Sequence, residues 1–258
     1  MIEHRDYMRD EPSPGTPFRF HGSVSVALMV VLAVVFALQC INDVYVESWV
    51  ERWLALTRSA LTRGHVWQLL TFQFLHVSLW HLLGNLMGLW FFGRFVEEAL
   101  GRRRFLVAYL GSGVVGGLLQ CVLMLLFPRH FVGFVFGASA GVMGVFALFC
   151  RLQAGAEVRW NFILPMRADV LLWITGGISL FFTLVPSQRG GGYAHAAHLG
   201  GILAGLAWVK LGWHHDYVTL PWENLAGRWR SWRTLQSRHR KRELVRAASI
   251  RGRPWRES

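Results

Sequence analysis

The chain has 258 residues, 53% of them apolar and only 16% charged, and its mean hydropathy is +0.33. About a quarter of the residues of a soluble domain are charged, so a water-soluble globule is excluded and a polytopic membrane protein is indicated. The net charge of +12 is gathered at particular places. Cys40, Cys121 and Cys150 all lie in apolar runs without CxxC, zinc or disulfide spacing, and read as small buried hydrophobes.

Met1 to Phe20 carries both signs of charge together with Pro12, Pro14 and Pro17. It lacks the basic start, short apolar core and small-residue cleavage site of a secretory signal, and 1–23 reads as an N-terminal cytoplasmic tail. A spanning helix needs roughly 20 mostly apolar residues. Six stretches approach this: Val24 to Ile41, Leu79 to Val96, Phe105 to Phe127, Phe136 to Leu152, Val170 to Val185 and Ala194 to Trp213. The predicted architecture is therefore all-α, with one six-span domain over 24–213. Between the first two spans, Val46, Trp49, Val50, Trp53 and Leu54 repeat at helical spacing. That segment reads as a membrane-interfacial first loop on the outer leaflet.

The tail 214–258 is basic and carries Trp222, Trp229, Trp232 and Trp255. Such a mixture suits nucleic acid. Behind six spans it suits anionic lipid headgroups better, with tryptophans at the interface, and no nucleic-acid partner is expected. Of the 27 Lys and Arg residues, all but Arg52, Arg58, Arg63, Arg129 and Arg189 fall on the side that carries both termini. Cytoplasmic loops are the basic ones, so both termini are expected in the cytoplasm.

Three stretches carry candidate chemistry. Ser139 lies in Gly137-Ala138-Ser139-Ala140-Gly141, a cluster of small residues that is common where spans pack closely. The second stretch is His76-Val77-Ser78-Leu79-Trp80-His81-Leu82-Leu83-Gly84-Asn85, and the third is Ala197-His198-Leu199-Gly200-Gly201-Ile202-Leu203-Ala204-Gly205. Polar side chains in lipid are costly and are functional candidates by default. Ser139 falls at the start of the fourth span, where unpaired N–H groups and the helix dipole favour an oxyanion, and Gly137 allows close approach of backbone. A serine hydroxyl needs a base. His198 is at comparable depth on the sixth span, and Gly201 and Gly205 permit tight packing against Ala140, Gly141 and Gly144.

His195, nearer the water boundary, is the rival base and is given a structural role. With no carboxylate inside a span, a Ser139–His198 dyad is expected in place of a triad. His81 and Asn85 share a helix face and can complete an oxyanion hole. His76 reads as a hydrogen-bonder holding the loop. The fifth span supplies no reacting group, and it is expected to act as a mobile side wall where substrate is admitted. No metal or cofactor is called for.

The order HxxxxHxxxN, GxSxG and AHxxGxxxG on spans two, four and six resembles the rhomboid intramembrane serine proteases, from about Trp67 to Trp213. The resemblance implies a six-helix rhomboid fold and a Ser139–His198 dyad. It also implies an oxyanion hole from the Ser139 N–H with His81 and Asn85, and single-span membrane proteins as substrates, cut in or near their transmembrane segment on the outer side. Three positions depart from the family pattern: Ala140 stands in place of glycine, Met143 in place of an aromatic that stacks on the base, and Gln68 in place of an arginine after Trp67. A catalytically inactive rhomboid-like protein that binds transmembrane clients is the alternative, and a small transporter using the intramembrane histidines is a third reading. The short six-span layout resembles bacterial members, so the expected location is a bacterial inner membrane.

Overall fold

The computed structural model describes residues 22–46, 49–131, 133–160, 164–185 and 194–215. The expected tails 1–23 and 214–258 lie almost wholly outside these residues. Residues up to Ala207 form one compact unit and those from Trp208 onward a second. In the second unit the described part ends in turns, with the Trp208 and Trp213 rings edge-on at 5.2 Å.

The first unit is built from helices. α1 (Val24–Tyr45) and α7 (Arg102–Leu126), of 22 and 25 residues, are each long and apolar enough to cross a bilayer. Their exposed faces are apolar, with Val30, Val34, Leu38 and Ile41 on α1 and Leu118, Val122 and Leu125 on α7. Trp173, Ile178, Phe181 and Leu184 do the same on α9 (Ala168–Leu184). Three such stripes in contact with water would be prohibitive for a monomer and suit a lipid solvent.

Between α1 and the next long helix lie α2 (Trp49–Leu54), α3 (Arg58–Thr62), α4 (Gln68–Thr71) and a 3₁₀ turn at Phe72–Phe74. Gln68 is wholly buried and ties this connection together. Its Oε1 accepts from Thr57 N at 3.2 Å, and its Nε2 donates to Trp53 O at 3.2 Å and Arg52 O at 3.4 Å. An amide side chain, with both acceptor and donor ends, thus satisfies backbone groups on either side of it.

α5 (Leu79–Gly88) continues through a π turn at Leu89–Gly93 into α6 (Arg94–Leu100), all in right-handed helical geometry. The sequence marks a span ending at Val96. The helix runs one turn further and there carries the buried Glu97. That carboxylate accepts from Val24 N, Ser25 N, Ser23 Oγ and Ser25 Oγ at 2.7–2.9 Å, so it closes the first turn of α1. The positive end of a helix dipole and its orphan N–H groups are the natural partners of such a charge. Glu97→Ala is expected to cost about 2–4 kcal/mol, since four donors, the two on Ser25 buried, lose their acceptor. Thermal unfolding in detergent checks this, with exposed Glu98→Ala as control; equal midpoints for the two variants would contradict it. Gly101, at φ +77°, then reverses the chain into α7 in a conformation that favours glycine.

α8 (Ser139–Leu152) begins at the serine itself, three residues later than hydropathy suggests. An antiparallel hairpin of β1 (Glu157–Trp160) and β2 (Leu164–Arg167) precedes α9, in register Glu157 to Arg167 and Val158 to Met166. The all-α expectation is corrected to that extent: two short segments between α8 and α9, outside any helix, pair their backbone groups with each other. α10 (His195–Lys210) completes the described elements. Cys121 and Cys150 are buried as expected, whereas Cys40 is on an exposed face of α1.

Three helices meet almost backbone to backbone. A Cβ at Gly116 of α7 would strike the Ala197 carbonyl of α10, and one at Gly200 of α10 would come within 2.8 Å of the Gly116 Cα. A Cβ at Gly201 would strike the Ala140 carbonyl of α8, and one at Gly205 the Gly144 carbonyl. At Gly141 of α8 it would lie 2.9 Å from the Tyr109 ring of α7. Small-residue contact of this kind replaces the hydrophobic drive that lipid removes.

Candidate active site

Local chemistry positions each polar residue of the site. Ser78 Oγ accepts from His81 N at 3.2 Å and so caps α5, which fixes His81 in the first turn. Four residues on, Asn85 is buried, and its Nδ2 donates to His81 O at 3.0 Å. An amide nitrogen carries two protons, so one remains for another acceptor. Ahead of the cap, Gln39 of α1 clasps the backbone of His76, accepting from its N at 3.1 Å and donating to its O at 3.0 Å. The loop is thus held at His76 through its main chain. The His76 ring nitrogens are buried and have no hydrogen-bond partner among the described residues.

The segment leading into Ser139 is pinned to the first connection. Leu56 and Val135 exchange backbone bonds of 2.9 and 3.2 Å, and Gly137 N donates to Phe72 O at 3.0 Å. Gly137 has φ +121°, and a Cβ there would lie 2.6 Å from His81 Cε1 and 3.4 Å from Ser139 Oγ. Glycine is therefore required for backbone geometry and also for space. The turn it makes ends the loop and starts α8 at Ser139, whose first-turn N–H groups have no intrahelical acceptors.

The Gly201 and Gly205 contacts bring α10 against α8, and the His198 Nε2 lies 2.7 Å from the Ser139 Oγ. A hydroxyl and an imidazole at that separation, in a region walled by apolar helices, can pass a proton from oxygen to nitrogen as the oxygen attacks a carbonyl. His195 has no hydrogen bond to Ser139 among the described residues; its ring stands edge-on to His198, centroids 5.8 Å apart. Beside the site a cavity of about 700 Å³ opens between α5, α8 and α9, with His81, Asn85, Met143, Phe146, Leu171 and Thr175 in its wall. Among the described residues no group of three or more His, Cys, Asp or Glu could hold a metal ion.

Two contributors escape a reading of the sequence. Gln39 looks like a polar interruption near the end of an apolar span, and Val135 like one more apolar residue before the serine. The Gln39 side-chain amide bonds the main chain of His76, and Val135 bonds Leu56 through its own main chain, so each depends on a partner far away in the sequence.

The Rhomboid domain model matches residues 63–215. Among curated proteins, the Rhomboid protease GlpG of Pectobacterium atrosepticum is 32% identical over 187 residues, covering 72% of this chain and 61% of the relative. That of Salmonella choleraesuis is 29% identical over 189 residues, covering 72% and 62%. That of Yersinia pseudotuberculosis is 29% identical over 187 residues, covering 72% and 61%. The chain spans about three fifths of the length of these relatives. The matched region encloses the His76–Asn85 stretch, the serine turn and the Ala197–Gly205 stretch in that order, and the chain belongs to the rhomboid family.

Proposed function

We propose that this protein is an intramembrane serine endopeptidase that cuts single-span membrane proteins in or near their transmembrane segment. The observation that carries the proposal is the 2.7 Å separation between Ser139 Oγ and His198 Nε2. The curated relatives named as proteases point the same way. In this reading His198 takes the proton as Ser139 Oγ bonds to a peptide carbonyl carbon. The new oxyanion faces the Ser139 N–H, with His81 and the free Asn85 proton beside it. The C–N bond then breaks, and the leaving amine takes the proton from His198. Water, deprotonated by the same imidazole, next adds to the acyl-enzyme and releases the second product with a carboxyl end.

The rest of the chain fits the same task. Six spans would place α1, α5–α6, α7, α8, α9 and α10 across a bacterial inner membrane, with both termini in the cytoplasm. The cavity between α5, α8 and α9 would admit the substrate helix sideways, with α9 as the wall that moves. The basic tail from 214 onward, outside the described residues beyond 215, would rest on anionic headgroups.

The test uses the purified protein in liposomes of bacterial phospholipid. The wild type should react covalently with a fluorophosphonate probe and cleave a single-span substrate, and Ser139→Ala should do neither. A wild type that neither cleaves several such substrates nor takes the probe would return the chain to a binding role. Activity that survives Ser139→Ala but is lost to a chelator would overturn the serine chemistry.

A further inference from the structure

His198 has a neighbour that the dyad chemistry does not use. His195, one turn earlier on α10, stands edge-on to it, with ring planes at 82° and centroids 5.8 Å apart. The His195 ring is in turn stacked on Phe182 of α9, at 4.9 Å and 23°. Phe182 is in the last turn of α9, the helix whose Leu171 and Thr175 line the cavity beside the site. A row of rings therefore runs from α9 through His195 to the base, and from the base to Ser139 Oγ at 2.7 Å.

The terminal torsion of an imidazole is broad, so a hydrogen bond to one serine does not by itself fix the ring plane. Edge-to-face and stacked pairs are the favoured arrangements of aromatic rings. We propose that the Phe182–His195 stack is a positioning element that holds the His198 ring in line with Ser139 and ties that alignment to the seat of α9. The proposal rests on the serine-hydrolase reading above. In it His195 neither gives nor takes a proton; its plane is what acts. When α9 moves outward to admit a substrate helix, Phe182 leaves His195 and the base loosens. When α9 returns, the base is set again, so proton transfer is favoured only once α9 is seated.

The experiment compares wild type, His195→Ala, Phe182→Ala, the double variant and His195→Phe in proteoliposomes. It reads the rate of fluorophosphonate labelling, kcat and KM for a single-span substrate, and the thermal unfolding midpoint. Each alanine variant is expected to lower kcat and the labelling rate together by roughly three- to tenfold, with KM within about twofold and the midpoint unchanged. The double variant should be no slower than the slower single one, because both remove the same row. His195→Phe, which keeps a plane and has no titrating nitrogen, should recover the wild-type rate to within about twofold. Wild-type labelling rates in both alanine variants would overturn the proposal. So would a rate loss that follows the loss of folded protein, a double variant at the product of the two single losses, or a His195→Phe as slow as His195→Ala. If the wild type itself fails to label, the serine-hydrolase reading fails and takes this proposal with it. If the wild type labels and the alanine variants match it, positioning alone is refuted.

Discussion

Ser139→Ala and His198→Ala will each lower cleavage of a single-span substrate by on the order of 10⁴-fold or more, and the double variant will be no worse than either alone. A serine hydroxyl without an adjacent base is a weak nucleophile, and a base without the hydroxyl has nothing to activate. In the proposed dyad the two side chains, 2.7 Å apart, would act as one unit, so the first loss would leave the second with no role. What survives is the contribution of the oxyanion donors and of binding, which neither substitution touches. Initial rates in proteoliposomes, with product followed to below 10⁻⁴ of the wild-type rate, decide the matter. His195→Ala should stay within about tenfold of wild type in the same assay, as a ring that aligns the base does not replace it. A His198→Ala that cleaves within tenfold of wild type would remove the dyad from the mechanism, and multiplicative losses in the double variant would make the two residues independent.

The second large effect is expected at Gly201. Gly201→Val will cost about 3 kcal/mol or more and will abolish probe labelling in whatever protein still folds. The added atoms meet the Ala140 carbonyl, which is backbone one residue beyond the nucleophile and cannot rotate away. Overpacking usually costs about 1–3 kcal/mol when flexible side chains can yield, and more where they cannot. Separating α10 from α8 also draws His198 away from Ser139. Gly176, in the middle of α9, is the control, because a Cβ there meets nothing within 4 Å. Gly176→Ala should leave labelling intact and raise the midpoint slightly, since alanine is the better helix former by about 1 kcal/mol. Thermal unfolding together with labelling separates the cases; a Gly201→Val that behaves like Gly176→Ala would contradict the helix contact drawn here.

Much of the helical layout is legible in the order of residues because lipid imposes a simple grammar: apolar runs of spanning length, with polar residues only where something needs them. Ser139 and His198 stand out against such a background, and the structure brings them together. What is not legible depends on partners far away in the chain. Glu97 lies just past an apolar run and reads as its boundary, yet its four donors sit more than seventy residues earlier at the head of α1. The start of α8 is set by a backbone turn at Gly137, to which hydropathy is blind, so the apolar signal places the helix three residues early. The hairpin at 157–167 has strands of four residues, too short for an alternating pattern to rise above its surroundings. His195 is three residues from His198 in any reading; that its ring faces Phe182 of another helix is a fact of packing alone.

The length of α8 bears on where the proposed hydrolysis would draw its water. Fourteen residues rise about 21 Å, whereas the hydrocarbon layer is roughly 30 Å thick. In the six-span arrangement proposed above, with Arg151 of the last turn at one surface, the serine end of α8 would stop some 9 Å short of the other. The proposed site would then be the floor of a well open at a single rim. Each turnover of the proposed reaction would need one water molecule to descend and one new carboxyl end to climb out, both through that rim. Hydrolysis would be one-sided by construction: the same membrane, turned over, would offer the enzyme no second approach.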